Sequence, residues 1–253
     1  MCLIAFAYKT HPKYRLVLIA NRDEFYDRPT RSAQYWKDEG HPDIIGGKDL
    51  EAGGMWMGIH SDGRFSALTN YRDPSIQRTD PPSRGDIVLK YLTSKVGPHQ
   101  YLKALNANAD LYNGFNVLSG DDQDLFHYSN ISNSITPIEP GVHGVSNALL
   151  NTSWPKLDKT KERLKECLST GFTTQDLFSI LSDSEQAPEE DLPSTGIPLK
   201  LEQAISPVFI KTDNYGTRSS TVLLIHMNGT IEFVERKFDL HDPSEYSEIS
   251  FNL

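Results

Sequence analysis

Cys2 and the polar run at residues 21–24 are the parts of this sequence whose residue types suggest a chemical reaction. If Met1 is removed, as is usual before a small second residue, the chain begins with a cysteine that carries a free α-amino group. An α-amine has an ordinary pKa near ~8 and a thiol near ~8.5, so a nucleophile and a base would share one residue. Two adjacent strands would bring the polar run, Asn-Arg-Asp-Glu, back to Cys2.

Cys2 also has a purely structural interpretation. A free cysteine is often a small buried hydrophobic residue. If Met1 is retained, Cys2 has no free amine and cannot react by this route. Both interpretations stay open at this point.

The composition describes an ordinary globular protein. The chain has 253 residues, of which 38% are hydrophobic, and it carries a formal net charge of -9. We predict a single domain over residues 1–253 and no nucleic-acid partner, because nucleic-acid proteins usually present a basic face. No apolar run approaches the ~18 residues that a membrane span needs. The two cysteines form no disulfide or zinc pattern, and a cytoplasmic location is predicted.

Apolar runs separated by turn residues predict four hairpins. Runs of roughly four to eight residues rich in Val, Ile, Tyr and Phe favour strands, and Asp-Gly or Asn-Gly between two runs favours a tight turn. The predicted pairs are residues 3–8 with 14–21, 55–60 with 65–70, 112–119 with 125–128, and 219–226 with 230–238. The last pair is predicted to close the sheet.

Helices are predicted in two groups between these hairpins. Ser83 is predicted to cap a helix that runs to about Val96, with a second helix over residues 99–109. A charged helix over 158–169 precedes a short helix capped by Thr173 or Thr174.

The remaining segments are predicted to be irregular. They are a loop over residues 26–42, a turn-rich section that ends with 141–147, and a surface excursion over 182–203. The order of elements predicts an α+β fold of two antiparallel sheets covered by two helical layers.

Seven short blocks occur in a fixed order along the chain. They are residues 21–24, 54–59, 68–71, 83–85, 112–116, 141–155 and 215–221. Together they resemble the NRDE, or transport-and-Golgi-organisation, family. This resemblance implies a four-layer αββα fold like that of the N-terminal-nucleophile (Ntn) hydrolases.

A more distant resemblance is to penicillin V acylases and bile-salt hydrolases, Ntn amidases that also begin Met-Cys. The positions that match their catalytic residues are Cys2, Arg22, Asp23, Asn70, Asn147 and Arg218. The amidases have Arg-Asn-x-Asp where this chain has Asn-Arg-Asp at residues 21–23. Because adjacent strand residues point to opposite faces, we expect Asp23 rather than Arg22 to face Cys2.

The amidase resemblance implies a mechanism. The Cys2 thiolate would attack an amide or ester carbonyl while its α-amine relays the proton. Asp23 would orient the ammonium, and Asn70 with a backbone N–H would hold the oxyanion. Arg218 or Arg22 would lower the thiol pKa, and Asn147 would position the substrate.

Four further residues are predicted to contact the substrate: Asn21, Trp56, Tyr71 and His143. Each has a structural alternative, since aromatic rings serve cores and a histidine between glycines is more often structural. Asn70 and Asn147 could equally be turn residues, and Arg218 an ordinary salt-bridge residue.

The sequence therefore predicts a hydrolase for a small-molecule amide or acyl substrate, with no cofactor and no metal. The alternative function is a binding or trafficking protein that holds a lipid, an acyl thioester or haem in the same pocket without hydrolysis. The oligomeric state is not predicted.

Overall fold

The computed structural model describes residues 2–240 and 242–253. Its strands are β1 (Cys2–Tyr8), β2 (Tyr14–Phe25), β3 (Thr30–Trp36), β4 (His41–Asp49), β5 (Met57–His60), β6 (Phe65–Asn70), β7 (Phe115–Gly120), β8 (Leu125–Ser129), β9 (Ser134–Pro137), β10 (Gly141–Val145), β11 (Tyr215–His226), β12 (Ile231–Phe238) and β13 (Tyr246–Asn252). The helices are α1 (Gly85–Thr93), α2 (Pro98–Asn106), α3 (Pro155–Thr170), α4 (Thr174–Leu181) and α5 (Leu199–Ala204). The chain divides into two compact units, each with one antiparallel sheet.

The first unit contains the residues up to Asp27 together with Pro140–Leu253. Its sheet has the strand order β10-β1-β2-β11-β12-β13, which places β1 and β2 inside the sheet. Alternate residues such as Leu3, Ile19 and Leu224 pack against α3 and α4 and form a buried core. This alternation fixes the faces of β1 and β2, because a slip of one residue would turn these side chains away from the helices.

The second unit is the continuous segment Arg28–Glu139. Its seven strands follow one another in sequence order from β3 to β9. Leu68, Val117 and Tyr128 face α1 and α2, whose buried residues include Tyr91 and Leu102. Neighbours in this sheet are therefore mostly neighbours along the chain.

The predicted α+β class with antiparallel sheets is confirmed, and the four predicted hairpins are present. All the predicted helices form, and Thr173 caps α4 with a capping box in which Asp176 completes the second bond. The prediction of a single domain stays a prediction.

The predicted loop over residues 26–42 is wrong, because it contains β3 and the start of β4. Its aromatic residue Trp36 is buried, and the indole nitrogen donates to the Gly46 carbonyl at 3.0 Å. The two buried residues of β3, Ala33 and Trp36, are three positions apart, and the register with β4 shifts twice. The period of two that identifies a strand in a sequence is therefore lost.

Three other segments also differ from the prediction. Residues 141–145 form the strand β10 rather than a turn, and β13 adds a further edge strand after the hairpin that was expected to close the sheet. Helix α5 lies inside the predicted excursion 182–203. Ser83 precedes the capping position, which Arg84 occupies.

Candidate functional site at the start of the first strand

Cys2 lies at the start of β1, an interior strand of the first sheet. In the register of the sheet Cys2 pairs with Arg22, and Arg22 pairs with Ser219 of β11. Directly opposed residues of antiparallel strands share one face. The Cys2 thiol, the Arg22 guanidinium and the Ser219 hydroxyl therefore lie in one row across three strands, on the face opposite the helices.

Burial raises the pKa of the Cys2 thiol above its ordinary value. The carboxylates of Asp23 and Glu24 raise this pKa further, whereas the positive charge of Arg22 lowers it. Arg22 is itself buried, and its guanidinium lies 3.8 Å from the Glu24 carboxylate. In this environment the thiol is protonated at neutral pH, so a nearby base is needed to make it a nucleophile.

Asp23 lies one residue beyond the partner of Cys2, on the side of the Cys2 α-nitrogen. Its side chain points to the helix-covered face, where Thr217 Oγ1 donates to Asp23 Oδ1 at 2.7 Å. Burial raises the pKa of this carboxyl, while the charges of Lys156 and Arg22 and the Thr217 hydrogen bond oppose that rise. Asp23 is thus held beneath the amino end of Cys2.

The expectation that Asp23 rather than Arg22 faces Cys2 does not match this register, because Arg22 is the direct partner of Cys2. Both charged groups nevertheless act on the thiol. They lie on opposite faces of β2, so Arg22 is on the same face as the Cys2 sulfur, while Asp23 lies toward the Cys2 α-nitrogen.

Arg218 sits at a β-bulge in β11. Thr217 pairs with Asp23 and Ser219 pairs with Arg22, so Arg218 is the extra residue between two paired positions. A bulge re-aims the side chain that it carries. The guanidinium donates to the carbonyl oxygens of Phe25 at 2.7 Å and Tyr26 at 3.3 Å. Burial and the nearby charge of Arg22 lower the pKa of Arg218, which places these two arginines in one electrostatic group.

Asn147 reaches Cys2 through its neighbour Ser146. The Ser146 hydroxyl donates to the Cys2 carbonyl at 3.2 Å and lies 3.4 Å from Asn147 Oδ1. Both residues are buried and directly follow β10. Since β10 pairs with β1, the chain after β10 returns to the level of Cys2.

Asn21 and His143 lie away from this group. The Asn21 side chain points to the helix-covered face and donates to the carbonyls of Leu181 and Val208 at 2.9 Å and 2.8 Å. His143 pairs with Phe6, four residues along β1 from Cys2, which corresponds to about 13 Å at the rise of a strand. Asn21 therefore anchors the helical layer, and His143 belongs to the far end of the strand.

The other predicted residues belong to the second unit. Asn70 ends β6 opposite Phe115, and Tyr71 follows it, donating its backbone N–H to the Gly114 carbonyl at 2.9 Å. The Trp56 ring lies against Gly47, where an added Cβ would come within 2.1 Å of the ring. The predicted roles of Asn70, Trp56 and Tyr71 stay predictions.

Sequence analysis did not single out Ser146, Thr217 or Lys156. Ser146 and Thr217 lie inside the blocks that carry the family resemblance, next to predicted site residues, so their position was the available signal. Lys156 gave none, because it precedes the predicted helix over residues 158–169 and a lysine is usually exposed.

The described part of the chain contains no group of three or more His, Cys, Asp or Glu residues arranged to hold a metal ion. Among its helices, none has the length and apolar character needed to cross a membrane.

Comparison with known families supports the sequence resemblance. The model of the family described as Transport and Golgi organisation 2 matches residues 1–240. A Transport and Golgi organization protein 2 homolog of Bos taurus is 35% identical over 272 residues, which cover 97% of this chain and 96% of the relative. The Drosophila melanogaster Transport and Golgi organization protein 2 is 29% identical, over 96% of this chain and 94% of the relative.

Comparison with solved structures identifies the fold. The mutant C2A conjugated bile acid hydrolase from Clostridium perfringens superposes with a TM-score of 0.55 at 7% sequence identity. The match covers 99% of this chain and 92% of the hydrolase chain. The predicted Ntn-hydrolase-like fold is thereby confirmed.

Proposed function

We propose, from the premise that this chain belongs to the Transport and Golgi organisation 2 family, that it is an N-terminal cysteine hydrolase. Its substrate is a small molecule with a non-peptide C–N amide or a related acyl bond. The nucleophile is Cys2 after removal of Met1. The Ntn-hydrolase-like fold supports a hydrolase in general terms, and the residues around Cys2 support this specific reaction.

The observation that carries the proposal is the row formed by Cys2, Arg22 and Ser219, with Asp23 on the side of the Cys2 nitrogen. The register thus gives the sulfur a cationic neighbour and the nitrogen an anionic one. A free α-amine at Cys2 would be stabilised as an ammonium by the Asp23 carboxylate. The neutral form of this amine belongs to the same residue as the thiol whose proton it must accept.

In the acylation half-reaction, the Cys2 α-amine accepts the thiol proton and the sulfur bonds to the substrate carbonyl carbon. The α-ammonium then donates that proton to the leaving nitrogen, the C–N bond breaks, and a thioester and a free amine result. Arg22 stabilises the thiolate that exists during the transfer.

In the deacylation half-reaction, a water molecule replaces the amine. The α-amine accepts a proton from the water as its oxygen bonds to the thioester carbon. The C–S bond breaks, the sulfur recovers the proton, and a carboxylic acid leaves. Asn147 contacts the substrate, and the oxyanion role of Asn70 stays a prediction from the sequence.

The test uses full-length protein with a C-terminal tag, so that the amino terminus is native. Intact mass measures whether Met1 is absent, and p-nitrophenyl esters and anilides of different acyl lengths serve as acylating probes. We expect Met1-free protein to gain the acyl mass on Cys2 and to release the chromophore. The Cys2→Ala variant should lose both signals.

Cys167→Ala is the matched control, because Cys167 is the other free cysteine and packs against the helical core. We expect this variant to acylate like the unmodified protein. Protein that retains Met1 or is not acylated by any probe contradicts the hydrolase proposal.

One observation favours the alternative function, a non-catalytic binding or trafficking protein for a lipid, an acyl thioester or haem. The Cys2 thiol has a raised pKa from burial, so in a chain that keeps Met1 it would be an inert buried side chain. Tight binding of an acyl thioester or haem that Cys2→Ala does not abolish, together with no turnover, favours this alternative.

We assign the reaction to the cytoplasm. A reactive thiol persists most readily in a reducing compartment, and both Cys2 and Cys167 are free. Fractionation of cells that express the C-terminally tagged chain checks this assignment.

A further inference from the structure

Lys156 is a buried cation beside the candidate site. It is the second residue of α3, and only 5% of its surface is exposed. A lysine is rarely buried to this extent unless another group compensates its charge. Its Nζ donates to the Ile205 carbonyl at 3.2 Å, which fixes the end of the side chain.

The start of α3 lies over the same sheet face as the Asp23 side chain. Trp154 and Leu157 pack with Leu3, whose partner in the register is Asn21, two residues before Asp23. Leu157 also closes on β10, where an added Cβ at Gly144 would come within 2.5 Å of the leucine side chain. The start of α3 thus packs on the sheet face to which the Asp23 side chain points, and the Lys156 charge acts on the Asp23 carboxyl.

A second line of contacts links the two residues from the other side. Thr217 Oγ1 donates to Asp23 Oδ1 and accepts the backbone N–H of Ile210 at 2.9 Å. Ile210 packs with Ile205, whose carbonyl accepts the Lys156 ammonium. The carboxylate and the ammonium are therefore anchored to the same small cluster.

We infer that Lys156 is a positioning residue for the proposed reaction, whose buried ammonium keeps the Asp23 carboxylate ionised and fixed beneath the Cys2 α-nitrogen. This inference rests on the proposed function, because an ionised Asp23 is useful only if it binds an α-ammonium. Lys156 acts through Asp23, and no contact with substrate is assigned to it.

The electrostatic neighbours of Asp23 agree with this role. Burial raises the pKa of Asp23, and the Lys156 charge opposes that rise ahead of Thr217 and Arg22. Cys2 of β1 and Tyr26 after β2 also interact with Asp23. On α5, next in sequence to Ile205, Glu202 is a second buried acid, and its carboxylate accepts the backbone N–H of Thr195 at 3.1 Å.

The test follows the Asp23 carboxyl by isotope-edited NMR in Met1-free protein, with the signal assigned from its loss in Asp23→Asn. We expect Lys156→Gln to raise the titration midpoint of Asp23 by roughly one unit or more, the usual effect of losing a close opposite charge. Lys156→Arg keeps the charge and should leave the midpoint near its original value.

Lys165→Gln is the matched control, since Lys165 lies on the same helix but is exposed to solvent. It should not move the Asp23 midpoint. A Lys156→Gln midpoint equal to that of the unmodified protein overturns the inference.

A reciprocal measurement covers the case in which Lys156→Gln does not fold. The isotope-labelled Nζ of Lys156 should shift when Asp23 is changed to Asn, and an unmoved Nζ signal overturns the inference. Both measurements need no substrate, so they give an answer even if no acyl probe is hydrolysed. Where turnover is found, the acid limb of kcat/KM should move to higher pH in Lys156→Gln together with the Asp23 midpoint.

Discussion

Arg22 opposes the effect of burial on the Cys2 thiol. Its charge lowers a pKa that burial raises, and the register places it directly across from Cys2. In Arg22→Leu we expect the alkylation of Cys2 by iodoacetamide at neutral pH to slow by roughly tenfold, because losing the positive charge raises the pKa of Cys2 and leaves less thiolate. Mass spectrometry of the Cys2 peptide over time measures this rate.

Arg15→Leu is the control for this prediction, since Arg15 lies at the opposite end of β2. Its alkylation rate should equal that of the unmodified protein. Equal rates in Arg22→Leu and Arg15→Leu would show that the Arg22 charge does not reach the sulfur.

His127 makes the stability of the protein depend on pH. It is buried in the second unit, with Nε2 3.1 Å from Asn116 Oδ1, and Asn116 Nδ2 donates to Thr69 Oγ1 at 3.2 Å. The amide oxygen of Asn116 thus accepts from a neutral Nε2–H. Burial lowers the pKa of His127 from 6.5 to about 4.

The sign of this effect follows from proton binding. In the unfolded chain His127 binds a proton below its pKa of 6.5, whereas in the folded chain it stays neutral down to about pH 4. The free energy of unfolding should therefore be highest above that range and fall by roughly 3 kcal/mol as the pH drops through it. Urea unfolding at several pH values should show a smaller fall in the free energy of unfolding for His127→Gln than for the unmodified protein. The control variant His99→Gln changes an exposed histidine and should show the same fall as the unmodified protein.

At the scale of elements, α4 depends on its capping box. Thr173 Oγ1 accepts the Asp176 N–H at 3.3 Å, and the Asp176 carboxylate accepts the Thr173 N–H at 2.8 Å. Thr173→Ala should lower the free energy of unfolding by about 1 kcal/mol, the usual cost of losing such a cap. Denaturant unfolding measures this loss, and Thr174→Ala, one residue into the helix, should cost less than about 0.5 kcal/mol.

The capping box matters to the site because α4 ends at Leu181, whose carbonyl accepts from Asn21. Asn21 immediately precedes Arg22 and Asp23. If Thr173→Ala and Thr174→Ala destabilise equally, the cap is not the source of the helix's stability.

Elements with a clear hydrophobic period could be predicted from the sequence. Elements whose burial depends on residues distant in the chain, or that are mostly exposed, could not. The hairpin of β5 and β6 follows from alternation and an Asp-Gly turn. Strand β10 has two glycines that suggest a turn, and only the approach of Leu157 shows why Gly144 is required there. Strand β13 is largely exposed, so it has no buried face to reveal it.

The candidate site was predictable from the sequence to the extent that its residues lie in the short blocks that carry the family resemblance. Cys2, Asp23 and Arg218 were all singled out, and each acts on the same electrostatic group in the structure. The pairing of Cys2 with Arg22 required the exact strand register, which a turn of uncertain length does not fix. The burial of Lys156 required the packing of α3 on the sheet, which a charged helix sequence conceals.

At the scale of the whole molecule, the two units differ in how far apart their paired residues lie in the chain. The sheet of the second unit joins consecutive strands. In the first unit β2 pairs with β11, and the Thr217–Asp23 hydrogen bond spans 194 residues. Pairing strands that are distant in the chain costs more loop-closure entropy before the contacts between them can stabilise the sheet, so such pairs form more slowly.

We therefore expect the second unit to become protected first during refolding. Pulsed hydrogen exchange read by mass spectrometry should show peptides from β5 to β8 protected before peptides from β2 and β11. Protection of both sets at the same rate would indicate that chain separation does not limit folding. A comparison of peptides from β1 and β12, which belong to the same sheet as β2, checks that the delay applies to the whole first unit.

The interior position of β1 protects the amino terminus from exopeptidases. Chain ends are usually frayed and open to trimming, but this strand is hydrogen-bonded to β2 from Cys2 to Tyr8 and to β10 from Ile4 onward. An aminopeptidase binds its substrate as an extended single strand. Here β1 would first have to separate from both β2 and β10. Once Met1 is gone, exopeptidase digestion should therefore stop at Cys2 and leave the new terminus intact for as long as the sheet stays folded.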